Sequence, residues 1–282
     1  MWKRSAALVV LLAACSSSTD EPVAAPAPLV VSSSTPPPQV HADWRARVTA
    51  EVLAVRTSSP AHYEELRRAA PQKTRARTLR FTTDVIHDPR AAAVFLERLV
   101  ENVDTAEVRA AIVEALPRTG GLYADALADL MVHETSAEVR TAYVFAARRA
   151  PGDLAIGVLA RGLSDEASIV RAEAARSAAA HPDGARLANE LRAALASPDP
   201  QLRTEAARAL GVLRVTGAQA ELTARLTDAS PEVRLEALRA LDRIAPGTLA
   251  GRPALDTLAS DPDPRVARLA SKLAGRASTI AP

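Results

Sequence analysis

"SPEVRLEALRALDRI", residues 230–244, decides the fold. Stepping along it from Val233 at about 100° per residue puts Ile244 at about 20°, Ala237 at about 40°, Leu241 at about 80° and Leu238 at about 140°. This is the single apolar stripe of an amphipathic helix. Arg234 falls at about 100° in the same frame, between two leucines. A guanidinium is rarely buried without a partner, so its place inside the stripe needs a physical reason.

The reason lies in repetition. "TAEVR" ends at Arg109, "SAEVR" at Arg140, "ASIVR" at Arg171, "DPQLR" at Arg203 and "SPEVR" at Arg234, and "DPRVA" follows with Arg268 one place late. Successive anchors lie 31, 31, 32, 31 and 33 residues apart. A fainter copy, "KTRARTLRFTTDVI", puts Arg77 at the head of the row. Each unit reads as two helices. Thr105, Ser136, Asp199, Ser230 and Asp263 stand where a helix N-cap belongs, with Ala167 the exception. Pro200, Pro231 and Pro264 follow at the first helical position. Glu107, Glu138 and Glu232 suit the positive end of the helix dipole. Second helices show as spaced leucines, Leu187, Leu191 and Leu195 or Leu222 and Leu226. Pro151-Gly152, Pro182-Asp183-Gly184 and Pro246-Gly247 break the chain between helices.

The pattern resembles the HEAT-repeat family over roughly residues 72–277, and especially its short bacterial units of the phycobilin-lyase-like type. The resemblance implies an all-α fold, a right-handed α-solenoid of about six to seven helix pairs. It says almost nothing of activity. One pair cannot bury its own apolar face, so units stack, and a residue inside the stripe faces the neighbouring unit. The row Arg77, Arg109, Arg140, Arg171, Arg203 and Arg234 is therefore read as structural. Its stems pack among apolar residues while the forks reach carboxylates or helix-end carbonyls. Asp104, Asp165, Asp199 and Asp228, in the turns before the first helices, are the expected partners.

The N-terminus sets the expected compartment. Lys3 and Arg4 precede an apolar run from Ala6 to Ala14, about half of what a membrane-spanning helix needs. It reads as a signal peptide, residues 1–14. Leu12, Ala13, Ala14 and Cys15 resemble a bacterial lipobox, which implies lipidation of Cys15, the one cysteine in the chain. Two or three acyl chains make a stable anchor. Ser16 in place of an aspartate favours the outer membrane, with the protein facing the periplasm, by resemblance to enterobacterial sorting. Residues 15–40 form a Ser-, Ala- and Pro-rich tether. Its "PPP" at 36–38 favours an extended form rising about 3.1 Å per residue.

Residues 41–71 read as two capping helices, with Trp44, Val48, Val52 and Val55 at helical spacing, and 278–282 as a tail. With no second cysteine, packing alone must stabilise the array.

Composition narrows the function classes. Alanine is about a fifth of the chain, aromatics are 3%, and lysine occurs only at 3, 73 and 272. Removing Lys3 and Arg4 with the signal leaves thirty-three basic and thirty-three acidic residues, without the basic excess that marks a nucleic-acid binder. No small-molecule substrate is evident. His41, His62, His87, His133 and His181 stand in unrelated contexts, and His133-Glu134 is the one His-Glu pair. Asp125 and Asp129 share a helix face, but a solvated face explains them. No cofactor or metal is expected, and no catalytic residue. The expected function is a membrane-tethered, non-catalytic scaffold that binds an envelope protein or peptide. The alternatives are a lyase-like or metal-dependent enzyme or accessory on the same scaffold, and a structural component contacting peptidoglycan. The candidate binding surface is the exposed side of the second helices, at Asp129, Arg161, Arg192 and Arg225.

Overall fold

The computed structural model describes residues 43–73, 79–119, 124–247 and 253–277. Cys15 with its lipobox, the tether and Arg77 lie outside the described residues, as does the tail. The described chain is an α-solenoid. Helices α1 (Trp44–Ser58) and α2 (Pro60–Arg68) come first, then a two-stranded antiparallel ribbon, β1 (Gln72–Lys73) with β2 (Leu79–Arg80). A one-turn α3 (Thr83–Ile86) and α4 (Ala91–Glu101) follow. The regular units are α5 (Ala106–Thr119) with α6 (Ala124–His133), and α7 (Ala137–Ala147) with α8 (Asp153–Leu163). Next come α9 (Ser168–Ala180) with α10 (Ala188–Ala194), α11 (Pro200–Val212) with α12 (Gln219–Ala224), and α13 (Pro231–Ile244) with α14 (Pro253–Ala259). Helix α15 (Pro264–Ala277) closes the stack.

First helices pack on first helices in chain order, α5 on α7, α7 on α9, α9 on α11, α11 on α13 and α13 on α15. Second helices do the same from α4 through α6 and α8 to α10. The apolar stripe is the contact surface. The residue before each anchor arginine is buried from the second copy on, at Val139, Val170, Leu202 and Val233. The places three and four beyond the anchor are buried too, as Ala174 and Ala175, Ala206 and Ala207, or Ala237 and Leu238. The alanine surplus therefore has a packing role: a side chain of one carbon lets neighbouring first helices approach closely. Second helices are shorter in four of the five units and equal in α7 with α8, and 3-10 turns at Gly184–Leu187, Thr216–Ala218 and Arg225–Thr227 extend two of them.

Where a first helix anchored on Arg77 was expected, the flanking residues form the ribbon and the single turn of α3 instead. Thr82 and Thr83 are β-branched and Pro89 lies just ahead, a poor sequence for a long helix. Phe81 fills the gap, its ring 4.6 Å from that of Phe95 in α4. Helices α1 and α2 pack on α4, and α1 also reaches α6. Among the described residues no helix is long and apolar enough to cross a membrane.

Candidate interaction surfaces

The anchor arginines stand in the first turn of the first helices and reach the turns between units. Four of them, Arg109, Arg140, Arg203 and Arg234, repeat one geometry. Arg140 in α7 sends Nε and Nη2 to the two oxygens of Asp165, at 2.8 and 2.9 Å, and Nη1 to the carbonyl of Thr135 at 2.9 Å. Arg109 holds Glu134 in the same two-pronged way, at 3.1 and 2.9 Å. Arg203 holds Asp228 at 2.8 and 2.7 Å, and Arg234 holds Asp261 at 2.7 Å through both prongs. The guanidinium thus ties the turn before its own helix, through carbonyls, to the turn after its partner helix, through a carboxylate. The carboxylate also accepts a backbone N–H two residues on, from Ser136, Ala167, Ser230 or Asp263. That bond organises the start of the next first helix. Ser136 and Ser230 make no side-chain cap of their own.

Arg171 is the exception. Its Nη1 reaches the carbonyls of Asp165 and Glu166 at 2.8 and 2.7 Å, but among the described residues no carboxylate meets the rest of the fork. Ser197 stands at the acid's place and takes over only the backbone bond, from Asp199 N–H at 3.2 Å. Asp199 pairs with no arginine among the described residues and caps α11 through the N–H of Gln201. Asp104 pairs with Arg98, which is 5% exposed and also donates to the carbonyl of Ala69 at 2.7 Å. Arg98 lies in a second helix, outside the repeating anchor, so the period of the row does not point to it.

These rungs set a pH dependence. Burial alone would raise the carboxyls of Asp165 and Asp228, but the forks of Arg140 and Arg203 and the backbone N–H donors outweigh it and hold both below the ordinary range. Arg234 does the same to Asp261. An unfolded aspartate titrates at about 3.9. A depressed folded value gives stability that is complete above that pH and is lost as pH falls through the lower folded value. The urea midpoint is expected to stay level from neutral pH to about 5 and to fall steadily below about 4. A midpoint that rises on acidification would show that the rungs do not hold ionised carboxylates.

The second-helix face is less open than its sequence suggests. Asp129 and Asp125 both face α1, where Arg45 meets Asp129 at 2.8 Å and Arg47 meets Asp125 at 2.7 Å. Arg192 pairs with Glu221, and Arg225 lies 3.7 Å from Asp228. Arg161 is exposed, with no ion-pair partner among the described residues. Glu134 is occupied by Arg109, and His133 is exposed. His181 is buried and structural: Nδ1 accepts from Asp183 N–H at 3.0 Å, so Nε2 carries the proton it donates to the carbonyl of Ala150. Among the described residues no three His, Cys, Asp or Glu side chains come together as a metal site would require.

The outer face of the first helices carries a second charged column that periodicity of the apolar stripe does not reveal. Arg176 bridges Glu173 of its own helix at 2.6 Å and Glu205 of the next at 2.9 Å. Arg208 lies 3.3 Å from Glu205 and 3.5 Å from Glu236, and Arg239 closes on Glu236 at 2.6 Å. The three glutamates are buried.

Among solved structures, the E. coli protein YibA matches with a TM-score of 0.50 at 17% identity, covering 82% of each chain. Two engineered proteins match at 22% identity with TM-scores of 0.46 and 0.47. The first covers 70% of this chain and 98% of its own, the second 83% and 69%. The likeness to YibA extends to the fold alone. No curated protein matches the chain. Residues 187–276, which hold the Arg203 and Arg234 rungs, match the family described as HEAT repeats.

Proposed function

We propose that this chain is a non-catalytic protein-binding scaffold of a bacterial envelope, anchored through lipid on Cys15 and held off the outer membrane by its Pro-rich tether. The observation that carries the binding role is the stack itself. Repeated helix pairs, similar to HEAT repeats over residues 187–276, present long columns of side chains to solvent while the anchor rungs keep the units in register. The lipobox residues Leu12, Ala13, Ala14 and Cys15 support the anchor. A surface of mixed charge favours a protein or peptide over a polyanion. On the second-helix face Arg161 is the cleanest probe, because Arg192 and Arg225 already face carboxylates of this chain.

Two measurements test the reading. Cys15→Ala is expected to move the protein from the detergent-extractable membrane fraction to the soluble one with its helicity unchanged. A variant that still pellets and still needs detergent for release would remove the anchor from the proposal. Proximity crosslinking of the wild-type chain in native membranes, read by mass spectrometry, is expected to yield one recurrent protein. Arg161→Glu should weaken that capture. Absence of any recurrent protein would sink the scaffold role.

A further inference from the structure

The glutamate–arginine column on the outer face stops short, and a cleft opens where it stops. In the joints beyond α9, each buried glutamate meets arginines from two helices: Glu205 meets Arg176 and Arg208, and Glu236 meets Arg208 and Arg239. Glu173 meets one arginine, Arg176, together with the hydroxyl of Ser177 at 3.2 Å. The spacing of the column puts its missing arginine in α7 at position 145, where the residue is Phe145. A second departure lies beside it. The place held by Glu107, Glu138, Gln201 and Glu232 in other units is held in α9 by Ile169, which is 57% exposed. Together these two changes turn a charged surface into a cleft of about 360 Å³ across α5, α7 and α9. Ala142, Phe145 and Ile169 supply its apolar surface, and its charged lining residues are Glu114, Glu138 and Glu173. Arg148 stacks over Phe145, 3.9 Å from the ring centroid.

We infer that this cleft is a docking site for a partner segment that presents an arginine beside an aliphatic side chain. The inference rests on the scaffold reading and names the partner chemistry. Charge complementarity carries it. At the next two joints this chain sets its own guanidinium, Arg176 or Arg208, against the buried glutamate of the following helix; the cleft offers Glu173 in that same place, with Phe145 where the arginine would stand and Ala142 in place of the second glutamate. A guanidinium from outside would complete the row at Glu173, in a partly desolvated setting where charge-assisted hydrogen bonds are strong. The aliphatic neighbour would cover Ile169 and Phe145, whose exposure otherwise costs the free protein apolar surface in water.

The test uses the full chain in detergent and a fluorescent, alanine-based helical peptide with arginine and leucine on one face. The control peptide has glutamate in place of arginine. Anisotropy titration is expected to show the arginine peptide binding at least about tenfold more tightly than the control. Phe145→Arg should supply the missing guanidinium from within, keep or raise the melting temperature, and weaken the arginine peptide by about tenfold. Ile169→Gln, which restores the residue type of a neighbouring unit, should also weaken it. Arg243→Glu, exposed in α13 and away from the cleft, should leave it unchanged. Equal binding of both peptides, no binding of either, or wild-type affinity in Phe145→Arg would overturn the proposal. These results are separable from the scaffold reading. If an envelope partner is crosslinked and Phe145→Arg does not affect its capture, the cleft is wrong and the scaffold stands. If no partner is captured yet peptide binding depends on Phe145, the reverse holds.

Discussion

Arg140→Ala is expected to lower the unfolding free energy by about 3–5 kcal/mol, the usual loss when one member of a buried ion pair is removed. Arg171→Ala, the same substitution one unit later, is expected to cost about 1 kcal/mol or less. The two residues occupy the same place in the repeat, yet their surroundings differ. The side chains of Arg140 and Asp165 are 9% and 8% exposed. Removing the arginine would strand Asp165 with a single N–H donor, that of Ala167. It would also free the carbonyl of Thr135 and release Glu166, which is itself well exposed and adds little. Arg171 has no carboxylate to strand, because Ser197 stands there, and its two carbonyl acceptors lie at a part-buried turn that water can reach. Urea melts of both variants, compared by midpoint and slope, decide the matter. Equal losses would mean that the carboxylate adds nothing to a rung.

Gly211→Ala should destabilise the array, although the same exchange inside a helix ordinarily gains up to about 1 kcal/mol from propensity. Gly211 sits in α11 against Ala240 of α13. A Cβ built on it would lie 2.6 Å from the Cα of Ala240 and 2.7 Å from its Cβ. Neither atom belongs to a flexible side chain, so the helices themselves must move apart. Overpacking of this kind costs about 1–3 kcal/mol, and separation of α11 from α13 would also loosen the contact between Arg208 and Glu236 at 3.5 Å. The cost exceeds the propensity gain, so the sign is a loss. Ala240→Gly in the same chain should recover part of it by removing one of the two clashing carbons. A higher melting temperature for Gly211→Ala alone would show that the helices stand farther apart.

Helical phasing and the repeat length made the units, their order and the interior stripe legible, because each depends on a period within one stretch of chain. Which acid meets which arginine is not periodic in that sense. Acids in the turns are visible in the sequence, but Asp104 and Asp199 take other partners, while Glu134 and Asp261 hold Arg109 and Arg234. The difference lies in direction: the carbonyls come from the preceding turn and the carboxylate from the following one. The docking of α1 through Arg45 and Arg47 depends on how a non-repeating segment folds back, and no spacing records it. The Glu173, Glu205 and Glu236 column was visible as charges recurring every 31 or 32 residues. Charge at that spacing on a helix's outer face is equally what a solvated face presents, so the spacing alone does not mark the column. Arg239, on that same face, is bound to one of those glutamates.

The distance along the chain between rung partners bears on how the protein reaches this fold. Arg109 and Glu134, Arg140 and Asp165, and Arg203 and Asp228 are each separated by 25 residues, and Arg234 and Asp261 by 27. Closing any one of them requires a loop no longer than a single unit, so no joint waits on the ends of the chain finding each other. Topology of this kind favours rapid folding and lets structure nucleate at any joint and spread to its neighbours. The joint between α9 and α11 lacks a rung carboxylate, and its cross-unit ion pair, Arg176 with Glu205, closes over 29 residues. Folding started on either side of that joint can be propagated across it by the outer column, and unfolding that begins at either end meets there the one junction among the described residues held without an anchor acid.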